Sequence, residues 1–227
     1  MNTAVVVAAG TSRRMGFDKL LADLGGQPVV RRTLDAVAAA ASVDAIVLVA
    51  SEEVAGRVGQ WRGPTAPGKL VAVVAGGSER QLSVLNGLRA VPAGTTHVAV
   101  HDAARPLVAP SAIDDVLACA HRHGAAVLAR PVTDTVKRAT ADDPPVVAEI
   151  VDRTGLWAME TPQAARLDWL VAALDEVVAA GGHVTDEVSS LQLAGHPVRI
   201  VRSSWPNPKI TWPGDIETAC RLLGSGE

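Results

Sequence analysis

The sequence predicts an α/β protein built on a doubly wound, mostly parallel sheet with a protruding β-arm. Three observations predict it. Short apolar runs alternate with amphipathic helical patterns through the first 130 or so residues. The runs are apolar at successive positions, as in strands covered on both faces. Glycines and charged residues collect just after the first, third and fourth runs, where ligands sit in such sheets.

Each element follows from its pattern. Ala4 to Ala9 is an apolar run closed by Gly10 and reads as a buried strand. Val29 to Ala41 has apolar residues at helical spacing. Ala45 to Ala50 and Leu70 to Ala75 read as the second and third strands, the latter ending at Gly76-Gly77. Ser78 to Val91 reads as a helix, with Ser78 and Gln81 spaced as a capping box. Val98 to Val100 is a fourth strand, running into His101-Asp102. Ser111 to His123 is a helix with Ile113, Val116, Leu117 and Ala120 on one face, and Ala125 to Ala129 is a fifth strand. The alternation breaks after Pro131. Residues 132 to 160, with Pro144-Pro145 in an Asp-rich turn, read as two extended strands joined by a loop. Leu167 to Ala180 is again helical, Val198 to Val201 is a late strand, and Gly214 to Leu223 closes as a helix. The expectation is a single domain over residues 1–227 with the β-arm inserted at about 132–160.

A chain of 227 residues can bury one large core. With five Trp, one Phe and no Tyr, that core must be aliphatic. The formal net charge is −3 and no Lys/Arg run appears, so nucleic-acid binding lacks electrostatic support. A local basic pocket for phosphates remains compatible with that charge. Cys119 and Cys220 lie in apolar helical patterns, too far apart to suggest a disulfide framework or a zinc site, and read as buried thiols. No stretch reaches the length of a membrane span, and the start lacks the charge of a secretory signal. A cytoplasmic location is expected.

Three clusters carry chemistry. The first runs Ala8-Ala9-Gly10-Thr11-Ser12-Arg13-Arg14-Met15-Gly16-Phe17-Asp18-Lys19. Small residues let a backbone approach a ligand and form an anion nest, and Arg14 and Lys19 could hold a triphosphate. The motif is neither a Walker loop nor GxGxxG. In the second, Gly76-Gly77 opens a helix bearing Ser78, Arg80 and Ser83 near its start, where unpaired N–H groups favour anions. The third is His101-Asp102-Ala103-Ala104-Arg105-Pro106. Asp102 could ligate magnesium or hold a substrate hydroxyl, Arg105 could bind phosphate, and His101 reads as structural. Asp134 to Arg138, Val151 to Trp157, Thr161 to Gln163, Thr185 to Glu187 and Asn207 to Thr211 are weak alone. His121 and His123 are two apart on a helix and make a poor metal pair. No Gly-x-Ser-x-Gly elbow is present.

In this order, HDAARP, PVTDTVKR, VDRTGLW with TPQ, TDE, and NPKIT with P-x-D resemble the 2-C-methyl-D-erythritol 4-phosphate cytidylyltransferase family. The resemblance runs from about Val5 to about Ala219. It implies a Rossmann-like nucleotidyltransferase fold whose β-arm clasps a second subunit. It further implies CTP as donor, a small polyol phosphate as acceptor, Mg2+ as cofactor and a homodimer with sites completed across the interface. Carried over, Arg14, Lys19, Arg153 and Lys209 are catalytic. Ala8, Ala9, Gly10, Gly77, Ser78 and Ser83 line the CTP site with Arg80 beside them. Asp102, Arg105, Thr135, Arg153, Thr185 and Lys209 bind substrate, Thr135 and Arg153 serving the partner's site, and Asp102 is the candidate metal ligand. The segment Met-Gly-Phe-Asp-Lys is shorter than the family's usual loop and lacks its Pro before the lysine. That form resembles the molybdenum-cofactor nucleotidyltransferases. These enzymes and ribitol 5-phosphate cytidylyltransferases stand as alternatives within catalysis. A non-catalytic nucleotide-binding protein of the same fold is the alternative outside it.

Overall fold

The computed structural model describes residues 1–10, 18–61, 63 and 66–224. One sheet is built from β1 (Asn2–Ala8), β2 (Ala45–Ala50), β3 (Leu70–Ala75), β4 (His97–Asp102), β5 (Ala125–Pro131), β8 (Trp157–Arg166) and β9 (Arg199–Arg202). Its seven strands run in the order β3-β2-β1-β4-β8-β5-β9. β1 pairs in parallel with β2 and β4, β2 with β3, and β5 with β9. β8 alone runs antiparallel, between β4 and β5. The helices are α1 (Val29–Ala39), α2 (Glu52–Val58), α3 (Arg80–Arg89), α4 (Pro110–His123), α5 (Leu167–Ala179), α6 (Glu187–Leu193) and α7 (Pro213–Gly224).

The strands alternate between two cores. Ala4, Val6, Ile46, Leu48 and Leu128 face one side, against Leu34 and Val37 of α1 and Ile113 and Leu117 of α4. Val5, Val49, Val98 and Val100 face the other, against Val84 and Leu88 of α3 and Leu170 and Leu174 of α5. Val, Ile and Ala suit both faces because β-branched and small side chains pack closely on a pleated surface. α4 has Pro110 at its first turn and ends at Gly124, with φ of +90°, as helix starts and stops favour.

The structure corrects several expectations. Residues 157–160, read as the end of the arm, instead begin β8, which runs to Arg166 in the middle of the sheet. The arm's ladder is short: β6 (Lys137–Ala139) pairs antiparallel with β7 (Val147–Ile150). Helices α2 and α6 were not foreseen. The capping box is absent: α3 starts at Arg80 with Glu79 as N-cap and no side-chain cap bond. β3 is an edge strand with Val71 and Val73 exposed, not covered on both faces. Both cysteines are half-buried against one core rather than enclosed.

One close approach sets the depth of α3. A Cβ on Gly87 would lie 2.5 Å from Val5 Cγ1 and 2.7 Å from Val49 Cγ2. Gly87→Ala should therefore destabilise the fold by roughly 1–3 kcal/mol through overpacking. In a chain of this size thermal unfolding would fall by several degrees. An unchanged melting temperature would show that the sheet yields at no cost.

Candidate active site

The parallel strands β1, β3 and β4 bring their carboxyl ends to one rim of the sheet. After β1 the chain continues through Ala9 and Gly10, and after β3 it turns at Gly76-Gly77. A Cβ on Gly76 would stand 2.2 Å from the Cβ of Ala9, so only glycine lets these two turns meet. The Ser83 hydroxyl accepts from the Gly77 N–H at 3.0 Å and donates to the Glu79 carbonyl at 3.0 Å. Ser83 thus braces the turn from within α3.

β4 ends at two buried polar residues. His101 Nε2 donates to the Arg105 carbonyl at 3.1 Å, and Nδ1 accepts from the Thr161 hydroxyl at 3.0 Å. The Thr161 oxygen in turn accepts the Asp102 N–H at 3.1 Å. Those partners suit a neutral imidazole, and burial pushes its pKa down to about 4. His101 is therefore structural, as its motif suggests.

Asp102 is the electrostatic centre of the rim. Its Oδ2 lies 2.7 Å from Lys209 Nζ and 3.9 Å from Arg105 Nε, and its Oδ1 lies 3.2 Å from Arg80 Nη2. Burial opposes its ionisation, but Arg80, Lys209 and Arg105 outweigh it and hold its pKa well below the usual carboxylate range. The segment bearing Lys209 is laced to β4's turn: Ile210 N–H donates to the Ala104 carbonyl at 2.8 Å, and Arg105 Nη1 donates to the Asn207 carbonyl at 2.7 Å. Asn207 Nδ2 donates to Glu160 Oε2 and the Thr161 carbonyl. Lys19 Nζ donates to the Ile210 carbonyl at 2.6 Å, which places it over the same rim.

These residues surround a cavity of about 670 Å3. Ala9, Gly10, Gly77, Ser78 and Ser83 form its small-residue wall, and Lys19, Glu79, Arg80, Asp102 and Lys209 its charged wall. Arg105 instead lines a neighbouring cavity of about 630 Å3, to which Lys209 also contributes. Ala8 is buried within β1. Thr185 is exposed on the loop before α6, and Thr135 and Arg153 are exposed on and beside the arm, away from both cavities of their own chain. Arg153 Nη1 donates to the Thr133 carbonyl. Arg14 lies outside the described residues.

As a metal ligand Asp102 fits poorly, because both of its oxygens already face cations. Among the described residues no three His, Cys, Asp or Glu side chains converge on a point where an ion could sit. A shallower hollow of about 1010 Å3 lies at the opposite end of β4, between His97, His121 and Trp169. Its Arg166 is committed to Asp168 at 2.6 Å.

Sequence reasoning placed Glu187 in the TDE motif but gave it no role. This residue is 2% exposed, and its carboxylate binds Arg80 through Nη1 at 2.6 Å and Nη2 at 3.2 Å. Asp186, which caps α6 by accepting the Ser189 N–H at 3.0 Å, was the available signal that a helix begins there.

A doubly wound sheet with a cation-lined cavity at its strand ends places the chain among the α/β proteins suited to phosphorylated ligands. The family model for 2-C-methyl-D-erythritol 4-phosphate cytidylyltransferase (IspD) matches residues 2–225. A protein of that name from Geobacillus thermodenitrificans is 38% identical over 224 residues, covering 98% of this chain and 96% of its own length. One from Symbiobacterium thermophilum is 40% identical over 223 residues, covering 97% and 92%. The crystal structure of the Thermus thermophilus protein of the same name superposes with a TM-score of 0.79 at 27% identity, covering 97% of this chain and 98% of that one. The chain belongs to the 2-C-methyl-D-erythritol 4-phosphate cytidylyltransferase family.

The neutral His101 makes stability depend on pH. In the unfolded chain it takes up a proton near pH 6.5, whereas the folded protein resists until about 4. Its contribution is complete above about pH 6.5 and is lost progressively down to about pH 4. The loss is up to about 3 kcal/mol. Denaturant midpoints measured between pH 7 and 4.5 should fall less steeply for His101→Gln than for the wild type. Equal slopes would contradict a buried neutral imidazole.

Proposed function

We propose that the protein transfers the CMP unit of CTP to 2-C-methyl-D-erythritol 4-phosphate. The products are 4-diphosphocytidyl-2-C-methyl-D-erythritol and pyrophosphate. The observation that carries this reading is the meeting of two cavities at Lys209, one walled by glycine turns, Lys19 and Arg80, the other by Arg105. CTP occupies the first, with its phosphates against the small-residue wall, and the acceptor phosphate lies toward the second.

The acceptor phosphate is ionised at neutral pH, so no protein nucleophile is required. One of its oxygens attacks the α-phosphorus in line, a P–O bond forms, and the bond to the β-phosphate oxygen breaks with its electrons leaving on pyrophosphate. The protein's part is orientation and charge. Lys19 and Arg14 meet the charge growing at the α-phosphate and leaving group, and Lys209 meets the acceptor. Asp102 keeps Lys209 and Arg80 apart and directed. Magnesium would not need Asp102 as a ligand, and would supply neutralisation of the triphosphate charge. A cytoplasmic location belongs to the same reading. No helix among the described residues is long and apolar enough to cross a membrane.

The working form is read as a homodimer joined through the arm. Val146, Val147 and Ile150 are 59%, 67% and 79% exposed on a two-stranded hairpin. Such a hairpin is marginal alone and its apolar face calls for a cover. Thr135 and Arg153 would then serve the partner's site, with Thr185 beside it.

Purified protein with magnesium, CTP and 2-C-methyl-D-erythritol 4-phosphate should release pyrophosphate, and should not do so with GTP or ribitol 5-phosphate. Lys19→Ala should lower turnover roughly a hundredfold or more with an unchanged circular dichroism spectrum. Release with a control substrate instead would reassign base or acceptor, and near-normal turnover of the variant would remove Lys19 from the chemistry. Mixing Arg153→Ala and Lys19→Ala subunits should restore some activity; verified mixed dimers without any would refute the crossing of the arm.

A further inference from the structure

We infer that Glu187 is a positioning residue for cytidylyl transfer: from outside the cavity it locks the guanidinium of Arg80 that lines it. The inference rests on the reading of the cavity as the CTP site.

Arg80 is badly placed by local rules. It opens α3, where the helix dipole favours anions and repels a cation, and no acidic residue lies in that first turn. Its side chain is long and would lose much rotamer freedom on being fixed. Two carboxylates fix it nonetheless. Glu187 takes one N–H from each terminal nitrogen, and Asp102 takes a second from Nη2. Three of the five guanidinium N–H groups are thereby engaged. The Nε–H and one Nη1–H have no bond among the described residues, and Arg80 lines the cavity.

Glu187 is itself rigidly mounted. Gln163, 4% exposed, accepts the Val188 N–H at 2.9 Å and donates to Asp186 Oδ2 at 3.2 Å. Gln81, 5% exposed, accepts the Val184 N–H at 2.9 Å and donates to the Gly182 carbonyl at 3.0 Å. Two buried amides thus fasten the loop before α6 to α3 and β8, and Glu187 arrives from that loop at a fixed height. A buried ion pair adds little net stability compared with apolar residues of the same volume. What it supplies here is direction: with Glu187 on one side and Asp102 on the other, the guanidinium cannot turn away from the cavity.

The test is Glu187→Gln, alone and in an Arg80→Met background. The amide keeps the shape but sets an NH2 against an Arg80 N–H, donor against donor. Calorimetric affinity for magnesium–CTP should weaken roughly tenfold, the size of one lost charge-assisted bond. The KM for CTP should rise by a similar factor while kcat changes by less than about threefold, because ground-state and transition-state binding are weakened alike. In the Arg80→Met background the second substitution should add less than about twofold. A role confined to folding would lower the melting temperature and leave affinity unchanged. Affinity and KM within about twofold of wild type, or the same tenfold loss without Arg80, would overturn the inference. A wild type that binds CTP but never transfers it would defeat the transfer reading alone, since the affinity ratio still decides the role of Glu187.

Discussion

A carboxylate that is buried and must stay ionised governs the whole rim. Asp102 sits 8% exposed at the end of β4. An unpaired charge there would be costly in a medium less polarisable than water, and removing one partner of such a pair destabilises strongly. The surrounding chain is arranged to prevent it. Lys209, Arg80 and Arg105 come from three separate segments and meet on its oxygens. The hydrogen bonds among Asn207, Thr161, Ala104 and Arg105 hold those segments in register. Five cations, Lys19, Arg80, Arg105, Arg130 and Lys209, stand against four carboxylates, Glu79, Asp102, Glu160 and Glu187, an excess of one positive charge among the described residues. The apo rim is incompletely neutralised, and a phosphate chain completes it.

That arrangement needs the backbone to come unusually close, and small residues allow it. Gly76 lets the turn after β3 touch Ala9 after β1, so the turns after two strands line one cavity. Gly87 lets α3 settle onto Val5 and Val49, which fixes the height at which Arg80 emerges. The aliphatic core contributes in the same way. Val and Ala strands pack closely, so burial fixes the positions of three strand ends.

Much of this was legible in the sequence, and what was missed has physical reasons. Buried strands announce themselves as unbroken apolar runs, so β1, β2, β4 and β5 were readable to within a residue or two. β8 was not, because Glu160, Thr161, Pro162 and Gln163 interrupt it and are buried by pairing with one another and with Asn207, Asp186 and His101. Periodicity cannot see polar residues that are satisfied at long range. The cavity's glycines, Lys19, Asp102 and Lys209 were marked by motif. The role of Glu187 was hidden because an acidic residue at a helix start has an ordinary local explanation, and its partner lies 107 positions away.

The arm raises the opposite question, since it shows chemistry without a local purpose. Its strands lie outside the sheet, its valines and isoleucine have no cover among the described residues of the chain, and Arg153 and Thr135 reach neither cavity. A hairpin of three and four residues cannot bury enough surface to be worth ordering for itself. It becomes sensible if a second copy supplies the cover. Under the homodimer reading the same contact does two tasks. It buries the apolar face, and it carries an arginine to a site already rich in cations. That last step is electrostatically uphill without ligand: an added positive charge at the rim meets a net positive charge already there. An acceptor phosphate reverses the sign. Assembly and substrate binding are then linked, and completing the site is favoured most when the acceptor is present.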